Sequence, residues 1–235
     1  MQSNGEQFLE AIDKIKNSKG YYLNSKAYEL ENSFIIAVVS FGELQQLLEK
    51  VPVFSQGQRY NDEERKFHLN AARLFANYLS NTMAFRDHMR IYMRKIYKDE
   101  KLAFNGSYKN KIKSNFANDR VSQFLEDLRI FSQHIGILPT TILTKVKNGS
   151  FHSTIVIRKS DLLKTGYKWG KGKEFIDTMR EEENILDLAN DYIHKTIFPW
   201  LMNQQAKEHN KEFEELKQLR KMAKDLLETK EPQNS

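Results

Sequence analysis

The chain has 235 residues, 40% hydrophobic and 29% charged, which is enough apolar material for a sizeable core and excludes an intrinsically disordered chain. It contains no cysteine, which excludes disulfides and thiolate chemistry and fits a reducing compartment. The formal net charge of +6 is compatible with a polyanionic partner without demanding one.

The first residues, Met1 to Glu6, are polar and hold no apolar signal core. The longest apolar run, Phe34 to Val39, is too short to span a bilayer. The expectation is a cytoplasmic protein with no membrane partner. Residues 6–18 place Phe8, Leu9, Ile12 and Ile15 at helical spacing and predict a short helix. Ser33 to Ser40 is β-branched and apolar, and reads equally as a buried strand or the start of a helix. Glu43 to Lys50 reads as helix, ended by Pro52. Residues 55–61 read as a loop. Asp62 to about Lys98 is the longest predicted helix, with an apolar stripe through Leu74, Phe75, Tyr78, Leu79, Met83, Met89, Met93 and Ile96. Arg86 falls within that stripe and needs a partner, for which an acid such as Asp127 is a candidate.

Residues 105–119 are polar and predict a loop. Val121 to His134 predicts a helix with Phe124, Leu125, Leu128 and Phe131 on one face, ended by Gly136 and Pro139. Two β-rich runs follow, Thr141 to Lys147 and Ser150 to Arg158. The Asn148-Gly149 pair between them is a strong hairpin signal. Ser160 and Asp161 are candidates to cap a short helix, and residues 165–173 read as a flexible basic loop. A helix is expected from about Glu174 to Phe198, interrupted by Pro199. Arg180 to Glu183 reads as a solvated stretch of it. Residues 203–229 read as a charged helix with Phe213, Leu216, Leu219, Met222, Leu226 and Leu227 every three to four positions. It is either a partner-binding arm or packed on its own domain. Lys230 to Ser235 is expected to be disordered.

The chemistry-bearing feature is an arginine and a histidine at Arg129 and His134, at the end of the predicted 121–134 helix. An arginine there can neutralise phosphate, and a histidine can move a proton. On a straight helix the two flank the apolar stripe on opposite edges. They would cooperate only if the helix ends before His134 or if a second copy completes the pair. The bland reading makes Arg129 a salt-bridging residue and His134 a partner of the helix dipole. Asn70, Arg73, Asn77, Asn81 and His88 form an Asn-rich polar line on the long helix, each within about 40° of a common line. That line reads either as an ordinary exposed face or as the wall of a groove or dimer interface beside the 121–134 helix. The six histidines are dispersed, so no metal and no cofactor is expected. The glycines and lysines at 170–173 do not form a phosphate-binding loop.

At Leu128-Arg129-Ile130-Phe131-Ser132-Gln133-His134-Ile135-Gly136 the sequence resembles the HEPN superfamily, whose signature is an arginine and a histidine with four to six residues between them at the end of a core helix. The resemblance extends to Leu69–Ser80 and to Phe85-Arg86-Asp87-His88, and covers about residues 65–160. It implies a mainly α HEPN-like helical bundle over residues 1–202, with a small inserted β-hairpin at about 141–158. A charged C-terminal helix and tail would occupy 203–235.

It further implies a metal-independent endoribonuclease of bacterial stress or phage defence, acting as a homodimer. An antitoxin or other protein partner is part of that implication. In such a mechanism the RNA 2′-hydroxyl attacks the adjacent phosphate while His134 moves the proton and Arg129 stabilises the charge. Arg73, Asn77, Asn81, Asp87 and His88 are the candidate RNA-binding or supporting residues. The family usually has Asn, Asp or His where this chain has Ile130. The alternative is therefore a non-catalytic HEPN-like module that binds RNA or protein.

Overall fold

A computed structural model describes residues 3–52, 62–97 and 103–228. The expected loop at 55–61, the end of the long helix at Lys98 and the expected disordered tail at 230–235 lie outside the described residues. The chain is mainly helical, with one small antiparallel sheet.

Helix α1 (Asn4–Asn17) starts at a capping box between Ser3 and Glu6. Ser18 ends α1 and caps α2 (Lys19–Leu48), its hydroxyl accepting from the Tyr21 N–H. The open reading at 33–40 resolves as helix. Leu30, Ser33, Ala37, Ser40 and Leu44 recur at helical period along one buried stripe, and small residues in it let α2 approach its neighbour closely. That neighbour is α3 (Asp62–Ile96), whose apolar stripe is buried as expected through Phe75, Tyr78, Leu79, Met83, Met89 and Met93. The Tyr78 hydroxyl donates to the Ala189 carbonyl at 2.7 Å.

The polar segment expected to loop at 105–119 is instead helical. It forms α4 (Ala103–Ile112) and a π-helical turn (Lys113–Ala117). Its anchors are Tyr108, Ile112 and Phe116, four residues apart; the intervening Asn, Ser and Lys obscured this spacing. Asp119 then caps α5 (Arg120–His134), accepting from the Ser122 N–H at 2.8 Å. Helix α5 packs Phe124, Leu125, Leu128 and Phe131 into the core.

The hairpin forms between β1 (Thr140–Lys147) and β2 (Ser150–Arg158), and both Asn148 (φ 51°) and Gly149 (φ 76°) take the left-handed conformation that a two-residue turn requires. It is part of a three-stranded sheet. The expected continuous helix from 174 to 198 is broken, because Glu182–Asn184 forms β3 against β2. The acidic stretch read as a solvated helix face thus lies partly in a strand. Helix α6 (Lys159–Lys164) precedes that strand, with Ser160 and Asp161 inside its first turn and Arg158 at its cap position. Helix α7 (Lys173–Thr178) follows α6 and ends before β3. Asn184 then caps α8 (Ile185–His194), accepting from the Leu186 N–H.

Pro199 starts a helix rather than interrupting one. It occupies the first turn of α9 (Phe198–Glu208), where its missing N–H costs nothing. Residue 203 therefore lies inside α9, and the charged C-terminal helix is α10 (Asn210–Glu228). Helix α10 packs back on α1 through Leu216 and Ala223 against Ala11 and Ile15. A Cβ at Gly20 would sit 2.3 Å from the Glu212 carbonyl oxygen, so only glycine allows α2 and α10 to meet there.

Candidate functional site: the groove between two core helices

Helix α3 stands between α2 and α5. Toward α2, Asn81 donates to the Ser40 hydroxyl, and the His88 Nδ1 lies 2.8 Å from the Ser33 hydroxyl. Toward α5, Arg86 grips Glu126 with two parallel N–H donors at 2.9 Å, and Gln133 reaches Ser80 at 3.3 Å. Arg86 and Arg90 lie about 160° round the helix from His88. The polar line that was a candidate wall beside α5 therefore faces α2 instead. Of its members, Asn77 is exposed, and Arg73 is exposed and donates to Asn70 at 2.8 Å. Arg73, Asn81 and His88 are not brought to Arg129 or His134.

The groove between antiparallel α3 and α5 carries the charge. Arg86 is buried, as its place in the apolar stripe requires, and its partner is Glu126 rather than Asp127. The Arg86 hydrogen bonds hold the Glu126 carboxyl below the usual carboxylate range, with the charges of Arg90 and Arg129 adding to the effect. Asp87 sits at the groove's edge, 3.2 Å from an Arg90 nitrogen and 3.7 Å from the Arg86 Nε. A pocket of about 150 Å³ opens beside the pair, lined by Arg86, Arg90, Ser122, Gln123, Glu126 and Lys171, with Phe116 of the π-helical turn in its wall. Π-helical turns recur at functional sites. Among the described residues, Lys171 has no carboxylate partner.

Arg129 continues the groove toward the end of α5. It is half-buried, and one guanidinium N–H donates to the Gln133 side chain at 3.1 Å. It forms no salt bridge among the described residues, contrary to the bland expectation, and its buried Nε has no hydrogen-bond partner. His134 is exposed in the last turn of α5. Among the described residues no hydrogen bond joins Arg129 and His134. Five residues apart on continuous helix, they differ by about 7.5 Å along the axis and about 140° around it.

The segment expected to be a flexible basic loop is a pinned strap. Trp169 is buried, stacked on Phe131 with ring centres 5.7 Å apart. The Gly172 N–H donates to Asp127 at 2.9 Å, and a Cβ there would stand 2.7 Å from the Phe124 Cα. Burial pushes the Asp127 carboxyl up, against the pull of the Gly172 and Gly170 amides. Asp127 thus holds the strap, and the strap presents Lys171 to the pocket.

Sequence reading missed Arg90, Glu126 and Lys171 as site residues. The available signal was helical spacing: Arg86 and Arg90 are four residues apart on α3, and Glu126 and Arg129 are three apart on α5. Among the described residues no three His, Asp or Glu side chains gather as a metal site, and no helix is long and apolar enough to cross a membrane. No protein-family model matches this chain, and no curated protein or solved structure matches it.

Proposed function

We propose that this protein is a HEPN-like module that binds single-stranded RNA in the cytoplasm, along the groove between α3 and α5. The observation that carries the reading is Arg129. Among the described residues this half-buried guanidinium forms no salt bridge and its Nε has no hydrogen-bond partner, which suits it to an anion. Arg90 and Lys171 extend the same groove, and Glu126 and Asp87 neutralise only part of its charge. Phosphates spaced along a flexible strand suit such a row of cations.

The catalytic reading, a metal-independent endoribonuclease with Arg129 and His134 at its centre, is favoured by one observation. The His134 ring is exposed and free to reach a substrate. Against it, the two side chains diverge around α5, and the position between them in the motif is Ile130.

Binding and cleavage separate in one experiment on purified protein in excess chelator, using labelled single-stranded RNA. The binding module retains intact RNA, with affinity about tenfold lower in an Arg129→Ala, Lys171→Ala double variant. Cleavage leaving 2′,3′-cyclic phosphate ends, lost in both His134→Ala and Arg129→Ala, would replace the binding reading with the nuclease. Equal, weak association of wild type and double variant would reject the groove.

A further inference from the structure

Helices α2 and α3 run antiparallel and meet along a polar seam. Asn81 donates to the Ser40 hydroxyl, and seven residues further along each helix His88 pairs with Ser33. The same register, seven residues on again, sets Lys95 of α3 level with Lys26 of α2. The first two rungs close the seam with hydrogen bonds. The third cannot, because an ammonium group has donors and no acceptor. At that level both lysines line a pocket of about 210 Å³ between the helices. Its floor is apolar, with Leu30 and Tyr92 both buried, and Ile91 and Ile96 complete it.

The charges of the pocket leave one cation over. Lys26 is held by Glu29, 2.5 Å away on the next turn of α2. Among the described residues Lys95 has no carboxylate partner. His88 also lines the pocket. Among the described residues the hydroxyl of buried Ser33 meets only the His88 Nδ1, at 2.8 Å, so its hydrogen is donated there. A neutral His88 then carries its proton on Nε2, which is left to donate to something else.

We infer that this pocket binds a small monocarboxylic acid with an apolar body about the size of one ring. Its carboxylate meets Lys95 and the His88 Nε2–H, and its body lies over Leu30, Ile91 and Tyr92. Three observations select that class. Lys26, Glu29 and Lys95 together carry one net positive charge, which matches a monoanion and not a phosphate ester or a dicarboxylate. A cavity of about 150 Å³ holds benzene, so this one has room for a ring and a carboxylate and not for a nucleotide. The buried apolar floor rewards a ligand with a body as well as a charge. The pocket lies on the α2 side of α3, away from the α5 groove, and the inference does not depend on the RNA reading.

The test is isothermal titration calorimetry on the full chain with phenylacetate as the probe. Phenylacetate binds in equimolar ratio with a dissociation constant below about 1 mM. Phenylacetamide has the shape without the charge, and acetate the charge without the body; each binds at least about tenfold more weakly. Lys95→Met weakens phenylacetate by about tenfold. Ile91→Trp fills the pocket and removes binding. Both positions are exposed, so both variants keep the fold, as read by unchanged helical circular dichroism. Arg94→Met, a neighbouring exposed cation outside the pocket, leaves binding unchanged. No binding of phenylacetate at about 1 mM would overturn the inference. So would equal affinity for phenylacetamide, equal affinity in Lys95→Met, or binding that survives Ile91→Trp.

Discussion

At the scale of single residues, the groove is organised by one ion pair. Arg86 must be charged and lies in an apolar stripe, so Glu126 is needed to keep it there. Removing the guanidinium in Arg86→Met takes both hydrogen-bond donors from Glu126, whose carboxyl then rises back toward its ordinary range. The expected loss is about 2–3 kcal/mol in urea unfolding, below the range for a fully enclosed pair, because Glu126 is 40% exposed. The pH dependence follows from Glu126. Its folded carboxyl titrates below its ordinary value near 4.5, so its contribution is present above that value and is lost as pH falls through the depressed one. Glu126→Gln is accordingly less stable than wild type at neutral pH. The gap between them narrows as acid unfolding proceeds below about pH 4.5, and a gap that is constant with pH would show that the pair does not carry this effect.

At the scale of elements, the strap from Thr165 to Gly172 decides whether Lys171 reaches the pocket. Its anchor at Gly172 touches backbone, and backbone cannot move aside as a flexible side chain does. Gly172→Ala is expected to cost about 1–3 kcal/mol in thermal or urea unfolding and to weaken RNA binding through displaced Lys171. Gly106→Ala, in open space inside α4, is the control: it leaves RNA binding unchanged and raises stability slightly, by about 0.5–1 kcal/mol, because alanine favours a helix over glycine. The strap also shows what local pattern conveys. Its glycines and lysines read as a mobile loop because Trp169 and Gly172 are held by Phe131, Phe124 and Asp127, more than thirty residues earlier in the chain.

The same limit explains the helix expected at 174–198. Its break at Glu182–Asn184 depends on pairing with β2, which no helical periodicity within the segment reveals. Features dictated by neighbours in sequence were legible: the stripe of α3, the stop of α5, and the Asn148-Gly149 turn. Arg129 and His134 were legible as a pair, but the face each occupies relative to α3 was not. The need of Arg86 for an acid was readable from its stripe. The choice of Glu126 over Asp127 was not, because adjacent residues on α5 point about 100° apart and only packing decides which meets α3.

At the scale of the whole molecule, the structure sorts charge and apolar surface to different sides of α3. The groove beside α5 gathers arginines and Lys171, and the outer face of α2 gathers Ile, Val and Tyr. The most direct measurement of the central claim is the salt dependence of single-stranded RNA binding, by fluorescence anisotropy. Three groove cations, Arg90, Arg129 and Lys171, predict a slope of about −2 for log affinity against log salt. Each alanine substitution among them makes it shallower by about 0.7. A slope near zero, or one that Arg129→Ala and Lys171→Ala leave unchanged, would contradict RNA binding in this groove.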